Sequence, residues 1–329
     1  MKNQRGNMVS SEALSRLKKR IPEDAILLEE PMKKHTSFRI GGPAEAFCQP
    51  EREEDLAEIM KWIREEKLPY FLLGNGSNLL VGDLGIPGVV VSMGRLKGSR
   101  VENEDLYVMA GTSMAAAYHA ALDACLSGLE FASGIPGSVG GGVFMDAGAY
   151  GGEIRDVLTS VRVLLPDGSF EEIPAEKLNL SYRHSAFMED PKGQERIVVG
   201  AHFHLNSKDP EEIAAVSADF NQRRREKQPL EYGSAGSTFK RPEGYFAGKL
   251  IQDAGLQGYR VGDAEVSKKH AGFVINLANA SAADVLAVIR HVQETVWEKF
   301  GVKLEPEVRL VGSFMEEDSR SIPRNGIEI

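Results

Sequence analysis

Cysteine is almost missing: Cys48 and Cys125 are the only two in 329 residues. That excludes a disulfide framework and a multi-cysteine metal site. Both are expected to pack as small hydrophobes in a reducing compartment. Basic charge is also short, with 39 Lys and Arg against 48 Asp and Glu and a formal net charge of -9. A free-standing nucleic-acid binder carries the opposite excess, so no nucleic-acid partner is expected. No apolar run approaches the ~18–20 residues of a membrane span. The opening stretch MKNQRGNMVSSEALSRLKKRI lacks the apolar centre of a signal peptide. The chain therefore reads as cytoplasmic, with no membrane partner. None of the 7 histidines has the spacing of a zinc site, so no metal is expected.

The apolar share is 42%, ample for a packed core. The length suggests about two domains at roughly 150 residues each. Apolar spacing predicts a helix over 11–21 (Leu14, Leu17, Ile21), capped by Ser11. A stronger stripe of Leu56, Ile59, Met60 and Ile63 predicts a helix over 53–66. Strand patterns follow at 70–73, 79–81, 89–91 and 106–110, then an Ala-rich helix over 113–126. A hairpin is expected at 160–173 around Pro166-Asp167-Gly168, with another strand at 197–205. Pro210 fits the first turn of a helix ending at the basic run 223–227. The last third reads helix (246–254), strand (272–277), helix (281–300), strand (308–311). Mixed strand and helix patterns argue for α/β or α+β layering.

Glycine is plentiful, at 34 residues, and it is bunched. Gly74-Asn75-Gly76-Ser77-Asn78 follows a strand and either makes a tight turn or offers main-chain N–H groups to an anion. It is not the dinucleotide fingerprint, because Leu79 fills the third glycine position. Between 134 and 152, 8 of 19 residues are glycine and regular patterning stops. A flexible linker would interleave serine; here Ile135, Val139, Val143, Phe144 and Met145 intervene, which favours a backbone laid against a cofactor. Tyr182-Arg183 could hold a carboxylate or a developing oxyanion, or simply face water. Ser237, in Gly236-Ser237-Thr238-Phe239-Lys240-Arg241, is a poor acid or base unaided and lacks the hydrolase-elbow spacing. Glu307 and Arg309 share one strand face, turned either to solvent or to a cleft. The basic run near Arg223 suits a helix C-terminus and could also attract a phosphate.

Taken together and in order, these segments resemble the UDP-N-acetylenolpyruvoylglucosamine reductase family over about residues 35–312. The resemblance rests on His35-Thr36-Ser37-Phe38-Arg39-Ile40-Gly41-Gly42, the 74–78 loop and the 134–152 stretch. Tyr182-Arg183, the 236–240 loop, His270-Ala271-Gly272-Phe273-Val274-Ile275-Asn276 and Glu305-Pro306-Glu307-Val308-Arg309 complete it. It implies an α+β fold with a two-lobed FAD-binding domain of vanillyl-alcohol-oxidase type and a C-terminal α/β substrate-binding lobe. The expected divisions are an N-terminal helix (1–24), lobes at 25–100 and 101–208, a substrate-binding domain (209–313) and a frayed tail (314–329).

The implied activity belongs to peptidoglycan precursor synthesis. NADPH reduces non-covalent FAD, which passes a hydride to the enolpyruvyl ether of a UDP-sugar to give UDP-N-acetylmuramate. The implied catalytic residues are Arg183, Ser237 and Glu307, with Ser237 the proton donor. The implied FAD contacts are Gly74, Asn75, Gly76, Ser77, Asn78, Gly134, Ile135, Pro136, Gly137, Ser138, Gly140, Gly141, Gly148 and Ala149. Tyr182, Lys227, Arg241 and His270 are the implied substrate contacts. Departures are Asp146 where Asn is common, Gly142 for Ala, and Arg241 for Asn. A carboxylate at 146 would repel a flavin diphosphate unless it points away or is hydrogen-bonded. The compact last third suggests the shorter subclass without a tyrosine lid, and a monomer is expected. Rival readings are a flavin-dependent alcohol oxidase of the same fold and a non-catalytic FAD or UDP-sugar sensor.

Overall fold

The helix Glu53–Glu66 buries the face its spacing announces: Leu56, Ile59, Met60, Trp62 and Ile63 are all sealed from solvent. Each such side chain contributes roughly 1.5–3 kcal/mol of apolar burial. The computed structural model describes residues 8–189 and 196–315. The expected tail lies outside them from residue 316 on.

That helix covers one side of a four-stranded sheet ordered Ile26–Pro31, Pro43–Cys48, Ile86–Ser92, Tyr70–Leu73. The first pair is antiparallel and the other two are parallel. The opposite side packs Phe47, Val90 and Leu73 on Met32, Val81 and Val311. Both faces are covered, which is why Val89, Val90 and Val91 run without polar alternation. The helix Ser11–Leu17 closes the outer layer, where the Trp62 indole donates to the Ala13 carbonyl at 2.9 Å. Its cap is Ser10, one residue before the expected Ser11.

The second lobe is a five-stranded antiparallel sheet, ordered Phe170–Pro174, Leu158–Leu164, Ile197–His204, Asp105–Met109, Ser99–Glu102. The helices Met114–Asp123 and Val139–Met145 pack over it. Pro210–Lys227 joins them: Ile213 is fully buried in this core, and the Ser217 and Tyr118 hydroxyls bond at 2.5 Å. The break was expected at Asp209, ahead of this helix. Asp209 caps that helix.

The third lobe has an antiparallel sheet ordered Gly233–Ser234, Val274–Asn276, Ala264–Val266, Arg260–Val261, backed by the helices Ala247–Asp253 and Ala282–Phe300. Its core takes in Phe38, Ile40 and Leu80 of the first lobe. The chain then returns: Arg309–Val311 pairs in parallel with Leu79–Val81. Of the two cysteines, Cys48 is buried, where lost hydration pushes its thiol up to about 12. Cys125 is exposed, against expectation; it holds a left-handed turn with φ 57° after the helix Met114–Asp123.

Candidate active site

The three lobes enclose a cavity of about 2790 Å³. A single small-molecule site takes roughly 300–1,000 Å³, so there is room for two large ligands. The first lobe contributes the 74–78 loop, the second contributes 134–138, Gly140, Gly141, Gly148 and Ala149, and the third contributes Ser237, Arg241 and His270. Much of the floor is main chain. At Gly76 the backbone has φ 61°, and a Cβ would lie 2.0 Å from the His35 carbonyl oxygen, so no side chain fits. The Asn75 amide donates to the Pro136 carbonyl at 3.2 Å and ties the two glycine loops together.

The stretch expected to be irregular contains the helix Val139–Met145, capped by Ser138. Three of its first four residues are glycines. They carry no hydropathy signal, so no period was readable. At Gly140 a Cβ would come within 2.9 Å of Ala110 Cβ, so this glycine serves close packing of the helix on the end of the strand Asp105–Met109. The helix ends at Asp146, which adopts a left-handed turn with φ 42°. Its carboxylate is fully buried, accepts from Arg155 N at 3.0 Å and lies 3.3 Å from the Arg155 guanidinium. Asp146 does not line the cavity, so the repulsion feared from sequence is absorbed by a structural partner. Burial still pushes this carboxyl above the usual range, with Arg155 opposing.

Arg183 and Glu307 meet across the seam between the second and third lobes. Arg183 Nε donates to Glu307 Oε1 at 2.8 Å, and the two side chains are only 19% and 15% exposed. The other guanidinium nitrogens reach the carbonyls of Asp146 and Gly148 at 3.4 Å each. Each terminal nitrogen has a second N–H, which leaves donors for a ligand. Arg183 sits at φ 57°, a conformation costly for a non-glycine residue and common where function fixes a side chain. Tyr182 stacks on it, with 4.9 Å from guanidinium to ring.

Ser237 is exposed to the same cavity. Its loop runs antiparallel beside Glu307: Phe239 pairs with Pro306, Lys240 N donates to the Glu305 carbonyl at 2.9 Å, and Glu307 N donates to the Thr238 carbonyl at 2.8 Å. Glu307 and Arg309 both line the cavity, while Val308 between them is buried in the third-lobe core. Arg309 lies over the Phe144 ring at 4.9 Å, and burial lowers its pKa.

Arg241 rests on the Phe246 ring at 4.0 Å. His270 accepts from Gly272 N at 3.2 Å through Nδ1, so in the neutral ring Nε2 carries the proton. Burial, and then the Lys227 charge, push the His270 pKa down. Lys227 itself is exposed at the rim, outside the cavity lining but close enough for its charge to act on His270. Arg224, one turn earlier on the same helix, lines the cavity, and Lys268 and Lys269 add further cations. Arg224 is the member of the basic run that sequence reasoning did not single out. A main-chain floor with cations at the walls fits a dinucleotide carrying a diphosphate.

Residues 44–173 match the family model described as "FAD binding domain". Fold and site together define a flavoprotein oxidoreductase. Residues 228–311 match the UDP-N-acetylenolpyruvoylglucosamine reductase C-terminal domain, beginning just past the helix Pro210–Lys227. The chain is 54% identical over 312 residues to UDP-N-acetylenolpyruvoylglucosamine reductase of Agathobacter rectalis, covering 89% of this chain and 96% of that one. It is 48% identical over 305 residues to the Exiguobacterium sibiricum enzyme of that name, covering 93% and 99%. The crystal structure of the Thermus caldophilus reductase superposes with a TM-score of 0.73 at 37% identity, covering 87% of this chain and 98% of that chain. The chain belongs to the UDP-N-acetylenolpyruvoylglucosamine reductase family.

Proposed function

We propose that this protein reduces the enolpyruvyl ether of UDP-N-acetylenolpyruvoylglucosamine to UDP-N-acetylmuramate, with NADPH as electron source. The observation that carries this reading is the Arg183–Glu307 pair, 2.8 Å apart, sharing one cavity with Ser237. FAD, when bound, supplies reversible two-electron chemistry between the nicotinamide and the sugar. The loops 74–77 and 134–141, with Gly148 and Ala149, would hold it by main-chain donors. The protein's own residues manage charge and protons. Hydride addition to the terminal alkene carbon leaves an electron pair on the carbon bearing the carboxylate, delocalised into that carboxylate as an enolate. Arg183 stabilises the growing negative charge through its free N–H groups. Glu307 occupies Nε and fixes the plane of the guanidinium. Ser237 gives its proton to the carbanionic carbon and completes the reduction. Tyr182, Arg241 and the Nε2–H of His270 offer contacts to the sugar diphosphate, with Arg224, Lys268 and Lys269 supplying positive charge around it. We place the domain boundaries at the lobe junctions, with the substrate lobe beginning after Lys227.

The test is turnover by purified protein. NADPH oxidation should depend on the enolpyruvyl UDP-sugar, and the lactyl ether should accumulate in equal amount. Consumption of oxygen with an alcohol, and none of this reaction, would replace the reading with an alcohol oxidase. Bound FAD with neither reaction would leave a sensor.

A further inference from the structure

Asn78 was expected to contact FAD through the loop it closes. Its side chain instead points across the lobe junction. Asn78 Nδ2 donates to the main-chain carbonyl of Glu307 at 3.2 Å, while the Asn78 carbonyl accepts from Arg309 N at 3.0 Å. One residue thus brackets Glu307 from the first-lobe side. It extends by one step the parallel pairing of Leu79–Val81 with Arg309–Val311. The other side of Glu307 is held by the Thr238 carbonyl. Thr238 is itself locked: it is 2% exposed, its N–H donates to Gly272 O at 2.8 Å, and its hydroxyl accepts from Val274 N at 2.9 Å. Glu307 lies outside any regular strand, so these contacts fix its main chain. The Glu307 side chain in turn holds Arg183 Nε.

We infer that Asn78 is a positioning residue for the Arg183–Glu307 pair, acting through the Glu307 main chain, rather than a flavin ligand. This rests on the reductase reading. The first-lobe loop that floors the cofactor cavity thereby also sets the register of the acid on the opposite wall. Losing the amide donor leaves the Glu307 carbonyl short of a partner and frees the segment to shift. A displacement near 1 Å at a reacting centre costs about 100-fold in rate.

The test compares Asn78→Ala and Asn78→Asp with the wild type; the aspartate keeps the shape but sets an acceptor against an acceptor. The limiting rate of flavin reoxidation by the enolpyruvyl UDP-sugar should fall roughly 10–100-fold. FAD affinity, read by fluorescence titration of the apoprotein, and flavin reduction by NADPH should stay within about 3-fold. A tenfold or greater loss of FAD affinity with unchanged reoxidation per bound flavin would overturn the proposal and make Asn78 a flavin ligand. Equal losses in both half-reactions with a lowered melting temperature would also overturn it, leaving a purely structural role. An active wild type with unaltered variants sinks this proposal alone. A wild type inert to the sugar sinks the reductase reading and this proposal with it.

Discussion

Ser237 is an ordinary alcohol in a loop, and alone it is too weak an acid to matter. It becomes a competent donor only against a strong base, and a carbanion created next to it is one. Ser237→Ala should therefore leave flavin reduction by NADPH within about 3-fold while reoxidation by the sugar drops roughly 100–10,000-fold. Rapid-mixing absorbance separates the two steps, and a matched loss in both would assign Ser237 to folding or flavin binding instead. Asp146 makes the opposite point, that an ionisable group near a site can be wholly structural. Its folded-state pKa is raised, chiefly by burial. The folded protein thus holds that proton more tightly than the unfolded chain does. The stability tied to the neutral form is complete below the ordinary carboxylate range and is lost as pH rises through the raised value. Asp146→Asn keeps the left-handed turn, which asparagine tolerates, and keeps an acceptor for Arg155 N. It should melt higher than wild type at neutral pH by on the order of a few degrees. The gap should close as pH falls into the carboxylate range; a gap that widens there contradicts the assignment.

Elements were legible where the period was carried by large side chains. The helices Glu53–Glu66 and Ala282–Phe300 fall within a residue of the expected bounds, because a wide apolar stripe faces a single core. The strands Ile26–Pro31 and Pro43–Cys48 were not read: a proline stands at one end of each and the edge strand is half-exposed, so alternation is weak. The helix Val139–Met145 was hidden by its glycines. Of the site, the motif residues were legible through resemblance, but the part of Arg224 was not, since a run of charges at a helix end carries no apolar period to mark which member lines a cavity. The clasp on the helix Ala282–Phe300 could not be read at all. Asp83, 199 residues away in sequence, accepts from Ala282 N at 2.9 Å and from Ala283 N at 3.1 Å. These are first-turn donors that the helix cannot satisfy itself, and a carboxylate there also meets the positive end of the helix dipole. Asp83→Ala should cost about 1–2 kcal/mol in denaturant titration. Asp83→Asn, retaining an acceptor, should lose less, and equal losses would deny the charge any part.

At the scale of the whole molecule, the third lobe is docked on the first rather than hung from the second. Phe38, Ile40 and Leu80 lie in its core, and Ser37 Oγ donates to the Ser234 carbonyl at 2.6 Å. Asn276 Nδ2 donates to the Phe38 carbonyl at 3.0 Å, and Arg309–Val311 pairs with Leu79–Val81. The second lobe joins the first through another core, where Leu164, Ile197 and Val199 meet Leu56, Ile59 and Val89. The seam between the second and third lobes is different in kind: it is crossed by the Arg183–Glu307 pair and bordered by the exposed rings of Tyr182, Tyr232 and Phe246. A polar, solvent-reached seam opens at lower free energy than a shared apolar core. Substrate binding at that seam should therefore slow amide exchange there and leave the docked face as it was. In hydrogen-exchange measurements with the UDP-sugar, protection should rise around 182–185 and 236–241. Exchange at 79–81 and 309–311, already slow, should not change. Added protection confined to 79–81 and 309–311 would mean that the sugar works by drawing the first and third lobes together instead, and the seam between the second and third lobes would not be the one that responds.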